Sequence, residues 1–258
     1  MIDRTVVVVG PGGVGKSPLD ALFRDDTVKI DPYRLRSDGP RDTNDIFYAH
    51  PRLRHELQLV LATLGDEPHQ MGCPDLPIEW FPRAKVLLYK MRGDWQLLVL
   101  NGLDGPIAKA EIYAPILPTL LSTPHISSLF GQVEIVVLNP APESVMVAPD
   151  WKRLESKTKE NCTGRGDSSK SIQDRVRSIA REAPAWKRLV LDHAATEYCD
   201  WEFPEYLYKR PPPGVGMVGH QKQMLTRARK RLCDGNPDLD AFFKDEGPVK
   251  QIKEPFVK

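Results

Sequence analysis

The chain has little of what marks a membrane-spanning, secreted or metal-clustered protein. Its four cysteines, Cys73, Cys162, Cys199 and Cys233, are scattered over 258 residues, so no CxxC pair supplies half of a zinc site and no dense disulfide framework is present. Scattered reduced thiols suit a cytoplasmic protein, and that is the expected compartment. Apolar runs such as Val6 to Val9 and Ile135 to Leu138 stop far short of the roughly 20 residues of a membrane helix. No basic, apolar leader opens the sequence, and no membrane partner is expected. An excess of one charge is missing too. The 36 Lys and Arg face 35 Asp and Glu for a formal net charge of +1, which excludes a surface built throughout for nucleic acid but leaves room for local basic patches. No histidine pair has metal-ligand spacing, no GxSxG nucleophile elbow occurs, and there is no internal repeat or low-complexity tract.

What the chain does have is a composition of 41% hydrophobic and 28% charged residues, suited to a folded α/β domain with a sizeable core. Proline, at 24 residues, punctuates the map. Pro74, Pro77 and Pro82 mark a loop after the first helical region, Pro115, Pro118 and Pro124 break up the middle, and Pro211 to Pro213 precede the last helix. The expected organisation is one domain over residues 1–206, carrying an insert at about 32–95 and a lid at about 151–175, followed by a basic helix and tail over 207–258.

Thr5 to Val9 read TVVVV, a β-branched run without polar alternation, as in a strand buried on both faces of a parallel sheet. Directly after it, Gly10-Pro11-Gly12-Gly13-Val14-Gly15-Lys16-Ser17 satisfies GxxxxGK[ST] without a mismatch. Glycines let such a loop curl so that successive N–H groups face phosphate oxygens, and a following helix adds its positive end. Lys16 is the expected partner of the β- and γ-phosphates of ATP, and Ser17 a ligand of Mg²⁺. Pro18 sits where a first helical turn tolerates it, and the helix is expected from Pro18 to about Phe23 with Leu19 and Leu22 inward.

The guanine-reading NKxD string of GTPases is absent, which leaves small-molecule and nucleotide kinases as the leading class. Val28 to Ile30 read as a strand that delivers Asp31 to its carboxyl end, where open α/β sheets bind ligands. Asp31 is a candidate general base, with turn stabilisation before Pro32 as the alternative. Arg34, Arg36 and Arg41 follow in what reads as a loop closed by Asp45 and Tyr48, and guanidinium forks suit capture of an acceptor phosphate. Further on, Val133 to Leu138 read as another buried strand. The stretch Trp151 to Arg188 then carries eleven Lys and Arg against five Asp and Glu. Ser168 or Ser169 is placed to cap a helix whose Ile172, Val176, Ile179 and Ala180 recur at helical spacing, an arginine-bearing lid by this reading.

These segments together resemble the guanylate kinase family. The loop Gly10 to Ser17 matches its GPSGxGKS, the Asp31 to Tyr48 segment stands where the family has a nucleotide-reading stretch, and Arg165-Gly166-Asp167-Ser168 followed by Ile172 and Arg175 is similar to the lid written RGTDSEExIxxR. Ala180, Ala183 and a following strand over Arg188 to Asp192 complete the order. The resemblance implies a three-layer P-loop kinase fold with a mostly parallel central sheet. It further implies Arg165 and Arg175 as phosphate-gripping lid residues and Asp192 near the adenine side of the donor site. The family's acidic strand becomes Leu98 to Gly105 here, with Asp104 the remaining candidate for orienting Mg²⁺. Asp31-Pro32-Tyr33-Arg34 also resembles the Asp-x-x-Arg of polynucleotide and zeta-toxin-like kinases, where the aspartate is the base. The expected reaction is therefore transfer of the γ-phosphoryl of ATP to a nucleotide-like acceptor. The alternatives are a kinase of a hydroxyl on a polynucleotide, modified DNA base or sugar nucleotide, and a non-catalytic nucleotide-binding protein of guanylate-kinase-like form.

Lys85 to Leu100 read as a hairpin turning at Arg92-Gly93-Asp94, in which Tyr89 and Trp95 either pack or stack on a base. Leu117 to Leu129 read as a helix broken near Pro124. Leu207 to Cys233 contains no acidic residue but carries Lys209, Arg210, Lys222, Arg227, Arg229, Lys230 and Arg231. Its helix, from about His220 to Leu232, is a candidate contact for nucleic-acid phosphates, with a plain soluble surface as the alternative.

Overall fold

The computed structural model describes residues 1–36, 45–47, 53–72, 76–91, 94–147, 151–164, 166–201 and 217–244. The fold is α/β, with one five-stranded sheet and one six-stranded sheet. The first has the order β11-β10-β1-β9-β2, formed by β1 (Ile2–Val9), β2 (Val28–Ile30), β9 (Gly105–Ala110), β10 (Gln132–Leu138) and β11 (Thr196–Tyr198). The run TVVVV lies in its central strand, and Val6 to Val9 are at most 2% exposed, as a strand covered on both faces requires. The pairs β10 with β11 and β2 with β9 are parallel, in registers Val136 to Thr196 and Val28 to Ala108.

By proximity of the backbone the chain forms two compact units, Met1–Thr5 with Val28–Val133, and Val6–Thr27 with Glu134–Lys258. The first unit holds the six-stranded sheet, of order β4-β3-β8-β7-β6-β5, from β3 (Tyr33–Arg36), β4 (Asp45–Phe47), β5 (His69–Gln70), β6 (Ile78–Phe81), β7 (Val86–Met91) and β8 (Asp94–Val99). All its pairings are antiparallel except β3 with β4. The expected hairpin is β7–β8, with Met91 opposite Asp94 at its turn. Its aromatics pack: Tyr89 is fully buried with its hydroxyl donating to Gln96 Oε1 at 3.1 Å. Trp95 lies against a cluster of Leu61, Phe81, Val86 and Leu88, where Leu61 comes from α1 (Leu53–Thr63). The broken helix of the middle is α2 (Leu117–Leu121) and α3 (Pro124–Ser127), separated at Thr123.

Among its described residues the second unit holds three longer helices, α4 (Lys152–Gly164), α5 (Ser169–Asp192) and α6 (Met217–Gly235). Ser168 caps α5, accepting from the Ser171 N–H at 3.3 Å, a contribution of about 1 kcal/mol. The sequence expectation of a strand over Arg188 to Asp192 is overturned, because α5 runs on to Asp192 through Pro184. An interior proline costs roughly 3 kcal/mol. Ile179, Ala183, Trp186 and Leu189 keep one helical face, each at most 1% exposed. Burying Trp186 and Leu189 at about 1.5–3 kcal/mol for such a side chain offsets the proline. Leu189 belongs to that helical face, so the strand that the resemblance implied over Arg188 to Asp192 gives way to helix. Met224, Leu225, Ala228 and Leu232 form the buried face of α6.

Candidate functional site

Gly10 to Ser17 leave the end of β1 as a tight loop within the second unit. Its shape needs glycine: φ is +149° at Gly10, +84° at Gly13 and +86° at Gly15, a region that costs other residues strain. A Cβ at Gly10 would also stand 2.6 Å from the Leu138 carbonyl oxygen of β10. At Gly12 the demand comes from a neighbour, since a Cβ there would lie 2.9 Å from Cδ and 3.1 Å from Cγ of Arg175.

The four described side-chain hydrogen bonds to this loop all end on carbonyl oxygens. The Lys16 ammonium donates to Gly10 O at 2.9 Å and Pro11 O at 3.0 Å. The thiol of Cys162, fully buried on α4, donates to Gly12 O at 3.5 Å. The buried indole of Trp201 donates to Val14 O at 3.1 Å. In a planar trans peptide the N–H points opposite to the C=O. Holding Gly12 O and Val14 O against the protein therefore turns the N–H groups of Gly13 and Gly15 the other way.

The element after the loop differs from expectation. Ser17–Ala21 is a 3-10 turn five residues long, with no side-chain cap at Lys16, in place of a helix to Phe23. Leu19 and Leu22 point inward as expected, at 1% and 7% exposure. Pro18 stands in the first turn, and the hydroxyl-bearing Ser17 is exposed. So short an element adds little dipole, and the polarity of the loop must come from its own peptide groups.

Arg175, two turns into α5, is half-buried against Gly12. Its Nε lies 3.3 Å from Asp167 Oδ2 and donates to Ser171 Oγ at 3.3 Å. The stretch expected as a lid holds two helices, α4 and α5, with Asp167 between them. Arg165 lies outside the described residues, as do Arg41 and Tyr48. Asp192 is the last residue of α5 and does not end a strand. Asp31, half-buried, follows β2 in the first unit. Arg34 and Arg36, expected in a loop, lie on β3, with Arg34 in parallel register with Asp45 of β4. Asp104 also belongs to the first unit, exposed beside the chain's amino terminus, which donates to its Oδ1 at 2.5 Å. That hydrogen bond and the ammonium charge hold its carboxyl below the usual range. Among the described residues, no group of three or more His, Cys, Asp and Glu comes together as a metal cage.

Beyond β10 the chain is locked by Asn139 and Glu197. The Asn139 amide donates to Glu197 Oε1 at 2.7 Å and Glu143 O at 2.8 Å, and its Oδ1 accepts from Ala141 N. Glu197 also accepts from Ser144 Oγ and Val145 N. Burial, then the Glu197 charge, pushes the neighbouring Cys199 thiol up to about 11. Cys162 and Trp201 are partners of the loop that sequence reasoning missed, as it missed Asp167, which pairs with Arg175 beside the loop. Only Asp167, inside the lid string, carried a signal in the sequence. On α6, Lys222, Arg227 and Lys230 are exposed, while Arg229 is held by Asp240 at 2.8 Å.

No protein-family model matches the chain, and no curated protein matches it. No helix among the described residues is long and apolar enough to cross a membrane. The class is set by architecture alone: an α/β protein whose central strand leads into a glycine-built loop.

Proposed function

We propose that the protein is a P-loop kinase that moves the γ-phosphoryl group of Mg²⁺-bound ATP to a nucleotide-like acceptor. The observation that carries this reading is the loop Gly10 to Ser17, whose carbonyls are held by Lys16, Cys162 and Trp201 and whose Gly12 is packed by Arg175. The N–H groups of Gly13 and Gly15, opposite the held carbonyls, would cradle phosphate oxygens. Lys16 would exchange two neutral acceptors for anionic ones, and charge-assisted bonds are roughly twice as strong. The exposed Ser17 would give its hydroxyl to Mg²⁺, whose shell is otherwise water and phosphate oxygen. Arg175 with Arg165 would steady charge on the transferred group. Arg34, Arg36, Arg41, Asp45 and Tyr48 would serve the acceptor, with Asp31 as base or orienting group.

The test is transfer of label from γ-labelled ATP to a panel of nucleoside monophosphates, sugar nucleotides, DNA and RNA, with Lys16→Ala as control. Lys16-dependent label on a monophosphate is the expected result. Label on a polynucleotide or sugar hydroxyl would replace the acceptor by a hydroxyl and make Asp31 the base. Tight ATP binding with no Lys16-dependent label on any acceptor would leave a non-catalytic nucleotide-binding protein.

A further inference from the structure

A basic C-terminal helix after a proline triplet reads in the sequence as an appendage. Its contacts say otherwise. Arg231 of α6 donates from its guanidinium to the carbonyls of Cys199 and Asp200, the former at short range and the latter at 2.7 Å. The same guanidinium lies over the Trp201 ring, 5.5 Å from its centroid, and Tyr198 stacks edge-on against that ring at 6.0 Å. The Tyr198 hydroxyl in turn donates to Leu232 O of α6 at 2.5 Å. The orientation of the Trp201 indole is thus fixed from α6, and that indole carries the N–H bonded to Val14 O of the phosphate loop. The segment after α6 reaches the other side of the loop. Phe243 packs edge-on to Phe23 at 5.3 Å, Arg24 N–H donates to Phe242 O, Lys244 N–H to Leu22 O, and Lys244 pairs with Asp25 at 2.8 Å. Phe23 to Asp25 lie just beyond the 3-10 turn that ends the loop.

We infer that Trp201, fixed by Arg231, is a positioning residue that sets the phosphate loop: by holding Val14 O it aims the Gly15 N–H at the bound phosphate, and the C-terminal helix is part of the donor site. The physical reason lies in what the loop lacks. With only a five-residue 3-10 turn behind it, no long helix fixes its peptide planes from the C-terminal side. The planes are instead fixed from outside, by a donor on each carbonyl whose opposite N–H must face the ligand. Arg231 and Trp201 touch no transferred group, and their effect passes through the backbone of residues 14 and 15.

This inference rests on the reading of the loop as a nucleotide site, and two measurements on the full chain keep the two apart. Trp186 supplies the control: it is a buried tryptophan of the same unit whose indole N–H has no hydrogen-bond partner. Hydrogen exchange of the ligand-free protein is compared for wild type, Trp201→Phe, Arg231→Met and Trp186→Phe. Exchange over residues 10–20 is expected to rise about tenfold in Trp201→Phe, and by less in Arg231→Met, with α5 unchanged in both. Trp186→Phe is expected to leave the loop as in wild type. MgATP titrated into the same proteins is then expected to bind about tenfold more weakly to Trp201→Phe and normally to Trp186→Phe. Wild-type exchange in the loop of Trp201→Phe, or equal loosening of the loop in both tryptophan variants, overturns the brace. If Trp201→Phe loosens the loop while wild type binds no MgATP, the assignment of the site to a nucleotide fails and the role of Trp201 in aiming a phosphate fails with it.

Discussion

The turn between β6 and β7 and the loop Gly10 to Ser17 are both tight stretches of backbone fixed by side chains distant in sequence. In the turn, the buried carboxylate of Asp66 accepts from the N–H of Arg83 at 3.1 Å and of Ala84 at 2.6 Å, beside Lys85 at a φ of +51°. In the loop, the fixing groups are donors and the backbone offers carbonyls. One turn spends its N–H groups on an internal anion, while the other keeps N–H groups directed away from its supports. On the proposed reading, the half of the peptide group that the protein satisfies separates a structural turn from a site for an external anion.

The largest effect that tests this contrast is on Lys16. Lys16→Ala should lower γ-phosphoryl transfer by about a thousandfold or more, read with labelled ATP, with little change in thermal midpoint. Transfer at the wild-type rate would remove the loop from the chemistry. Asp66→Ala should do the reverse. It leaves two buried N–H groups without acceptors, so unfolding free energy should fall by about 2–3 kcal/mol in denaturant titration, with MgATP affinity unaltered in the folded protein. A loss of affinity that matched the loss of stability would break the contrast.

A smaller effect is expected at Gly12. Gly12→Ala inserts a methyl group into the flank of Arg175 and should cost about 1–2 kcal/mol. In an Arg175→Ala background most of that cost should vanish, a coupling that a double-mutant cycle reads directly; equal costs in both backgrounds would mean the strain lies in the loop alone. The smallest effect concerns Cys199. Its folded value of about 11 stands above the ordinary 9.0, so folding favours the neutral thiol. The associated stability is fully present below pH 9 and is lost as pH rises towards 11. Near neutrality Cys199 should hold roughly a hundredth of the thiolate of an ordinary cysteine and alkylate correspondingly slowly under iodoacetamide. Rapid labelling would contradict its burial beside Glu197.

Much of the first sheet was legible. The Thr5 to Val9, Val28 to Ile30 and Val133 to Leu138 strands are short β-branched runs whose burial and period say the same thing. The β7–β8 hairpin, the Ser168 cap and the break before Pro124 were equally open to reading, because each depends on neighbours in the chain. The strand β9 was missed, since Gly105-Pro106-Ile107-Ala108-Lys109-Ala110 is poor in β-branched residues and its Lys109 is buried against Glu111 at 2.6 Å. Arg34 and Arg36 read as loop residues because the alternating stretch Tyr33 to Arg36 is only four residues long and runs straight into the turn-forming sequence Ser37-Asp38-Gly39-Pro40, and it is pairing to β8 and β4 that makes it a strand. The strand over Arg188 to Asp192 was implied by the family's order of segments, while the helical face begun at Ile179 decided otherwise.

By itself the sequence determined the loop. Glycines at 10, 13 and 15 permit backbone angles that other residues resist, and their spacing before Lys16 and Ser17 makes a tight loop accessible there. The tertiary structure decided what holds that shape. Cys162, Arg175 and Trp201 meet the loop from far along the chain, with a separation of 150 residues for Cys162 to Gly12 and 187 for Trp201 to Val14. No local pattern marks a tryptophan as a donor to a carbonyl so distant. Such a bond exists only once packing of α6, β11 and the loop has brought the two groups within reach, because hydrogen bonds act over about 3 Å while sequence patterns report only on the few residues of one helix or strand.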